Sequence, residues 1–141
     1  MSSGLTVERS TFIEAAPAQI WEALISPGLI KQYMFGTTVT SDWKVGSEIS
    51  YKGEYEGKPY EDTGKILKLE PEHVFSSLFR SGGSSDPKDQ HVVTYMLEAK
   101  DNGTLVTLTQ DNCKDEAQAE QFGKNWEGVL QSLKQLLESH N

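Results

Sequence analysis

The last part of the chain carries the feature that most limits its possible folds, a long amphipathic stripe. Its apolar residues recur at steps of three and four, the period of a helix with one buried face: Phe122, Trp126, Val129, Leu130, Leu133, Leu136 and Leu137. Lys124, Glu127 and Gln131 occupy the other side, whereas a membrane-spanning helix needs about 20 mostly apolar residues. The stripe is also too short for a coiled coil of at least three or four heptads. The sequence therefore predicts a helix packed on a core that is formed upstream.

The first forty residues predict one strand and two short helices. Residues 5–15, LTVERSTFIEA, alternate and are rich in strand formers. Pro17 stands where a helix can begin, and Pro27 where that helix has ended and a second one can start. Gly36 is suited to ending the second helix.

The middle of the chain predicts an antiparallel meander. Short runs of strand-forming residues are separated by Gly, Asp, Asn and Pro, and the runs are TTVT, SEISYKGEY, YEDTGKILKLE, HVFSSLF, HVVTYMLEA and TLVTLTQ. Turns are expected at Gly57, at Pro71, in the polar segment RSGGSSDPKDQ that begins at Arg80, and at residues 101–103. We expect an α+β fold, a curved antiparallel sheet wrapped around the terminal helix, whose capping box is Asp115 with Gln118.

Strand alternation assigns side chains to the inner face of this sheet. Ile49, Tyr51, Gly53 and Tyr55 share one face, and so do the set Val93, Tyr95 and Leu97 and the pair Val106 and Leu108. A glycine within a strand indicates a sharp bend or a close backbone approach, so Gly53 is expected to mark one. Buried hydroxyls at Tyr51, Tyr55 and Tyr95 need a protein partner, water or a ligand, because an unpaired one costs about 1 to 3 kcal/mol.

Length and charge restrict the classes of function. The 141 residues fit one domain, 1–141, and the single cysteine, Cys113, excludes an intramolecular disulfide. A formal net charge of −8 argues against nucleic-acid partners and anionic membrane surfaces. With no secretory signal in view, we expect a cytoplasmic monomer that has no membrane insertion.

The order of these features resembles the helix-grip superfamily, also called START-like, SRPBCC or Bet v-like. Within it the chain is similar to homologues of the activator of the ninety-kilodalton heat-shock protein ATPase. The matching stretches are IEAAPAQIWEALISP, SDWKVGSEI, TGKILKLEPEHVF, VTYMLEAKDNGTLVTLTQDN and NWEGVLQSLKQLLE. Pro17, Gly64, Pro71 and Trp126 match family positions. The tryptophan pair in which the family's second short helix often ends is absent, and the stretch here is Gln32, Tyr33, Met34 and Phe35. The resemblance implies a hydrophobic cavity between the sheet and the long helix.

The residues themselves offer little acid–base chemistry. We interpret His73, His91 and His140 as surface residues, because no partner for them is evident in the sequence. A carboxylate from the cluster around Glu54 and Glu61 would act as a general acid only if it reached the cavity. Neither a catalytic residue, a metal site nor a cofactor is predicted.

Three functions remain open. The leading hypothesis is a protein that binds a small hydrophobic or aromatic molecule, such as a lipid or polyketide, through the residues Phe35, Trp43, Tyr51, Tyr55, Tyr95, Phe122, Trp126 and Leu130. The second is a co-chaperone-like module that regulates a chaperone ATPase. The third is a cyclase-like enzyme that works in the same cavity. We expect binding without catalysis.

Overall fold

The fold is built from three helices and seven strands in the part of the chain that the computed structural model describes, residues 5–34, 36–55, 57–80, 86 and 89–138. In chain order these elements are β1 (Leu5–Ile13), α1 (Pro17–Ile25), α2 (Pro27–Tyr33), β2 (Thr38–Ser41), β3 (Glu48–Tyr55), β4 (Lys58–Glu70), β5 (Val74–Arg80), β6 (Gln90–Lys100), β7 (Gly103–Cys113) and α3 (Glu116–Glu138). The predicted elements are all present in the predicted order. Most of the polar segment after Arg80 lies outside the described residues.

The seven strands form one curved antiparallel sheet in the order β1-β7-β6-β5-β4-β3-β2. Strands β2 to β7 pair with their neighbours in the chain, whereas β1 pairs with β7, with Phe12 opposite Leu105. The β6–β7 hairpin closes tightly, since Lys100 pairs with Gly103 across two turn residues. The prediction of an α+β helix-grip fold is confirmed.

Helix α3 packs mainly on β1 and also contacts β7, α1 and α2. Its start is fixed as predicted, because the Gln118 backbone N–H donates to Asp115 Oδ1 over 2.8 Å and the Lys114 N–H donates to Gln118 Oε1 over 2.7 Å. Near its other end, Lys134 Nζ donates to the Phe12 carbonyl at 2.7 Å, and Glu138 accepts the Glu14 N–H at 2.9 Å. Both ends of the helix are thus held by side-chain hydrogen bonds.

The hydrophobic core lies between α3 and the inner face of the sheet. The buried face of the helix is formed by Val129, Leu130, Leu133 and Leu137. Inward positions of the strands complete the core with Ile13, Ile49, Ile66, Val93, Leu97, Val106 and Leu108. The alternation seen in the sequence therefore gave the correct face for Ile49 in β3, for Val93 and Leu97 in β6, and for Val106 and Leu108 in β7.

Two glycines allow close approaches within the sheet. A Cβ on Gly64 would lie 2.5 Å from the Leu78 carbonyl oxygen of the neighbouring strand. A Cβ on Gly53 would lie 2.5 Å from the Tyr60 hydroxyl, because the Tyr60 ring crosses over the glycine directly opposite it. The group that lies against Gly53 is the side chain of Tyr60 and not a backbone segment, so this close approach differs from the backbone approach expected from the sequence.

Candidate functional site

A small cavity lies between the sheet, α2 and α3. Its volume is about 50 Å³, and its aromatic walls are Tyr33, Trp43, Tyr51, Phe75, Phe79, Tyr95 and Trp126. The rings meet edge to face or at a tilt, with Phe75 centred 6.2 to 6.3 Å from Trp21, Trp43 and Tyr95. A water molecule needs a cavity volume of roughly 10 to 15 Å³, so this cavity has room for a few waters and no more.

Three tyrosines line this cavity, and the hydroxyl of one of them, Tyr33, donates to the Ala23 carbonyl at 3.0 Å. Burial raises the pKa of Tyr51 to about 12, an effect that a hydrogen bond with Ser77 opposes and the Asp62 carboxylate reinforces. Burial also raises the pKa values of Tyr95 and Tyr33, with a further contribution from the phenol of Tyr51. The cavity therefore presents neutral phenols at physiological pH, which act as hydrogen-bonding groups and not as bases.

Trp43 reaches the cavity through an unusual backbone conformation. Its φ of 56° lies in the left-handed region, which a bulky residue seldom adopts. The Ser41 hydroxyl accepts the Trp43 backbone N–H at 3.0 Å and holds the turn, and the indole meets Phe75 edge on. The backbone conformation at Trp43 thus helps to set the cavity wall.

A much larger open groove adjoins the cavity. Its volume is about 540 Å³, and it lies between the first half of α3 and the β3–β4 hairpin. Its apolar walls are Met34, Phe79, Phe122, Trp126 and Val129, and its polar walls are Thr37, Glu54, Tyr60, Gln110, Gln121 and Asn125. Three of these residues, Met34, Phe79 and Trp126, also line the small cavity, so they form the partition between the two spaces.

A hydrogen bond holds the Trp126 indole in this partition. Its Nε1–H donates to Gln110 Oε1 at 2.5 Å, and the ring also meets Tyr95 edge on at 6.4 Å. Gln110 is only 1% exposed, and its Nε2 lacks a hydrogen-bond partner among the described residues. A buried amide donor is therefore left unused at the border of the groove.

A second polar pair closes the opposite side of the groove. Thr37 Oγ1 donates to the Met34 carbonyl at 2.7 Å and lies 2.6 Å from the Tyr60 hydroxyl, which must then be the donor to Thr37. This pair joins the end of α2 to β4 across the sheet. Tyr60 reaches it only because Gly53 leaves the strand surface beneath its ring free.

The structure divides the residues predicted to bind ligand between these two spaces. Trp43, Tyr51 and Tyr95 line the small cavity, Phe122 lines the groove, and Trp126 lines both. Leu130 is buried in the core and belongs to neither lining set. Phe35 and the side chain of Tyr55 lie outside the described residues.

The prediction that His91 is a surface residue is wrong. His91 is 2% exposed, its Nδ1 lies 2.9 Å from the Asp111 carbonyl, and its ring meets Phe122 at 5.2 Å. The inward series His91, Val93, Tyr95 and Leu97 on β6 carried the signal, because a polar residue in register with buried ones must itself turn inward. Gln110 was missed in the same way, although it continues the series Val106 and Leu108.

The buried thiol of Cys113 has little nucleophilic character. Burial raises its pKa, the Asp111 carboxylate raises it further, and a hydrogen bond to the Val7 backbone opposes the rise. The thiolate is therefore scarce at neutral pH. Among the described residues, no three His, Cys, Asp or Glu side chains are grouped so that they could hold a metal ion.

No helix in the described part of the chain combines the length and apolar character that crossing a membrane requires.

Comparisons with known proteins agree with this architecture. The family model described as "Activator of Hsp90 ATPase homolog 1-like protein" matches residues 14–138. A protein from Cytophaga hutchinsonii with a known solution structure is 43% identical, with a TM-score of 0.83 over 96% of this chain and 95% of its own. None of the curated protein sequences matches the chain.

Two more distant structures show the fold alone. The Aha1 dimer from Colwellia psychrerythraea is 24% identical, with a TM-score of 0.77 over 95% of this chain and 96% of its own. Ara h 8.0201 is 13% identical, with a TM-score of 0.79 over 97% of this chain and 99% of its own.

Proposed function

We propose that this chain, which belongs to the family of activator of Hsp90 ATPase homolog 1-like proteins, binds a small, mainly apolar molecule. The ligand occupies the groove between α3 and the β3–β4 hairpin. The protein acts in the cytoplasm as a monomer, a setting that fits its single reduced cysteine and its acidic charge. The bound molecule is held and is not chemically changed.

The mainly apolar wall of the groove, together with its volume, is the observation that carries this proposal. Sites for small molecules measure roughly 300 to 1,000 Å³ and combine apolar walls with a few polar groups. The groove, at about 540 Å³, falls within that range, whereas the inner cavity, at about 50 Å³, is too small for a lipid or a fused-ring molecule. The ligand's main contacts are therefore Phe122, Trp126 and Val129, and the tyrosines of the inner cavity receive at most a small substituent or water.

The partition between the two spaces gives the site a way to enlarge. Met34, Phe79 and Trp126 are side chains with rotatable bonds, and a change of rotamer in one of them joins the cavity to the groove. A ligand that supports the new arrangement then reaches Tyr51 and Tyr95. Orientation by these two hydroxyls is part of the proposal.

The test is a two-dimensional amide NMR titration with fatty acids, flavonoids and polyketide-like aromatics, repeated on two variants. Gln121→Trp fills the groove, while Gln131→Trp places the same bulk at an exposed position of α3 outside the groove. We expect saturable shifts clustered on the groove residues in the native protein and in Gln131→Trp, and their loss in Gln121→Trp. Equal binding by all three proteins, or none by the native protein, would refute the groove as the ligand site.

The second candidate is regulation of a chaperone ATPase. It is favoured by the family match over residues 14–138 and by the net charge of −8, which suits a basic protein surface. It predicts that the purified chain stimulates the ATPase of an Hsp90 protein in proportion to complex formed. An unchanged ATPase rate at saturating protein would exclude it.

The third candidate, a cyclase-like enzyme, gains least from the geometry. The carboxylate that lines the groove, Glu54, is exposed, and the small cavity has no carboxylate among its described lining residues. A buried acid paired with a base is thus missing from the described site. We therefore keep binding without turnover as the proposal.

A further inference from the structure

We propose that Gln110 is the residue that selects the ligand, by donating a hydrogen bond from its amide Nε2 to a neutral carbonyl oxygen. The inference rests on the proposed function and names the chemical class of the groove's ligand. That class is an apolar molecule with a ketone, quinone, ester or amide carbonyl.

The orientation of the Gln110 amide follows from its partner. An indole nitrogen is only ever a donor, so the Gln110 atom that lies 2.5 Å from Trp126 Nε1 must be the oxygen. The other end of the amide is then the NH₂ group.

The free NH₂ group lies in a place where an unpaired donor is unfavourable. Gln110 is the most buried of the polar groove residues, at 1% exposed, and its Nε2 has no hydrogen-bond partner in the described structure. Buried polar groups of folded proteins are nearly always paired, with protein or with water, so a donor left over at the border of an open groove is available to a partner that binds there. A ligand acceptor would supply the missing bond, reached by a small movement of the Trp126 ring beside it.

The other polar groups of the groove are either committed to protein partners or exposed to water, and Asn125, whose amide is also a donor, is exposed. The Thr37 hydroxyl is committed to the Met34 carbonyl and to Tyr60, and Gln121 Nε2 donates to Asn125 Oδ1 at 3.3 Å at the exposed rim. Gln110 is thus the buried groove residue whose N–H donors lack an acceptor among the described residues.

The charge of the site argues for a neutral acceptor. The Glu54 carboxylate lines the same groove, and the whole chain carries a net charge of −8. A ligand carboxylate would be repelled by both, whereas a neutral carbonyl accepts the same hydrogen bond without that repulsion.

The experiment uses three naphthalene probes of similar shape. These are 2-acetylnaphthalene, which has a neutral carbonyl, 2-isopropylnaphthalene, which has none, and 2-naphthoate, which is anionic. Binding to the native protein is followed by NMR, including the side-chain NH₂ resonances of Gln110. We expect the ketone to move these resonances downfield on saturation, the hydrocarbon to leave them almost unmoved, and the naphthoate to bind more weakly than the ketone.

Two variants separate the donor from its neighbour. Gln110→Met removes the amide and keeps a similar side-chain volume, so the ketone should bind about three- to tenfold more weakly while the hydrocarbon is little affected. Trp126→Phe removes the indole N–H and keeps the Gln110 amide, so the ratio of ketone to hydrocarbon affinity should survive.

The outcomes distinguish the two proposals. If both neutral probes bind and neither moves the Gln110 NH₂ resonances, the role of Gln110 is overturned and binding in the groove stands. Tighter binding of the naphthoate than of the ketone overturns the preference for a neutral acceptor. If no probe binds the native protein, the proposed function fails together with the inference. The NMR readout needs no variant, so it decides the matter even if Gln110→Met does not fold.

Discussion

Individual side chains in this protein are placed by groups that are distant in sequence and close in space. Tyr60 lies over Gly53 and donates to Thr37, so one glycine in β3 decides whether a hydroxyl in β4 can reach the end of α2. Gly64 lets the Leu78 carbonyl approach in the same sheet. The two glycines differ in what a methyl group would strike, a side chain in one case and backbone in the other.

We predict that Gly53→Ala lowers the free energy of unfolding by about 1 to 3 kcal/mol, and that Gly64→Ala lowers it by more. The Tyr60 ring can swing away from a new methyl group at the cost of its bond to Thr37, whereas the Leu78 carbonyl can move only if the strand moves. Gly28→Ala, in α2 with open space around it, is the control and should gain about 0.4 to 1 kcal/mol. Urea unfolding measures all three, and equal losses at positions 53 and 64 would contradict the distinction.

The buried tyrosines predict a loss of stability in alkali. Burial raises the pKa of Tyr51 from 10.0 to about 12, so the folded state holds the phenol proton more tightly than the unfolded state does. The resulting stabilisation is fully present below pH 10 and is lost as the pH rises through about 12. The urea midpoint of the native protein should fall as the pH rises over this interval, and the midpoint of the Tyr51→Phe variant should fall less steeply. Parallel slopes for the two proteins would show that Tyr51 does not titrate with folding.

At the level of elements, α3 depends on its first turn as well as on its apolar face. Asp115 accepts the Gln118 N–H at 2.8 Å and so satisfies a backbone donor that has no partner within the helix. That turn precedes the groove-lining residues Phe122 and Trp126. Fraying at the start of α3 would therefore disturb the groove before it disturbed the core.

We predict that Asp115→Ala costs about 0.5 to 2 kcal/mol and that Asp115→Asn costs much less, because Asn is also a good N-cap. Thermal unfolding gives the stability, and hydrogen exchange of the amides in the first turn of α3 gives the local effect. Faster exchange should be confined to that turn in Asp115→Ala. Uniformly faster exchange along α3 would show that the cap supports the whole helix instead.

Sequence reasoning succeeded where the information was local. The strands of the meander and the cap at Asp115 were found because alternation, turn residues and capping pairs involve near neighbours. The candidate site was only partly foreseen, since Gln110 and Trp126 meet across β7 and α3, and the Tyr60–Thr37 pair links β4 to the end of α2. Alternation placed Tyr51 and Tyr95 on the inner face, yet cavity volume depends on how all the surrounding rings pack, which no local pattern records.

At the scale of the whole molecule, the two ends of the chain are interlocked. Strand β1 pairs with β7 in the sheet while α3 packs on β1, so neither end can leave without opening the core. We predict one cooperative unfolding transition, with an enthalpy of about 100 kcal/mol near 60 °C. Far-ultraviolet circular dichroism and tryptophan fluorescence should give coincident curves. A separate early transition in either signal would mean that the chain holds more than one folding unit.

The pairing of β1 with β7 also has a consequence on the ribosome. Roughly ninety residues separate Ile13 from Gly103, and at about 5 to 20 residues per second their synthesis takes on the order of ten seconds. Because β7 leaves the ribosome later than β1 by about this time, the first strand is exposed before its hydrogen-bonding neighbour in the sheet is available. Nascent β1 thus exposes the edge that β7 covers in the finished protein. A factor that binds newly made chains can bind this edge during that interval.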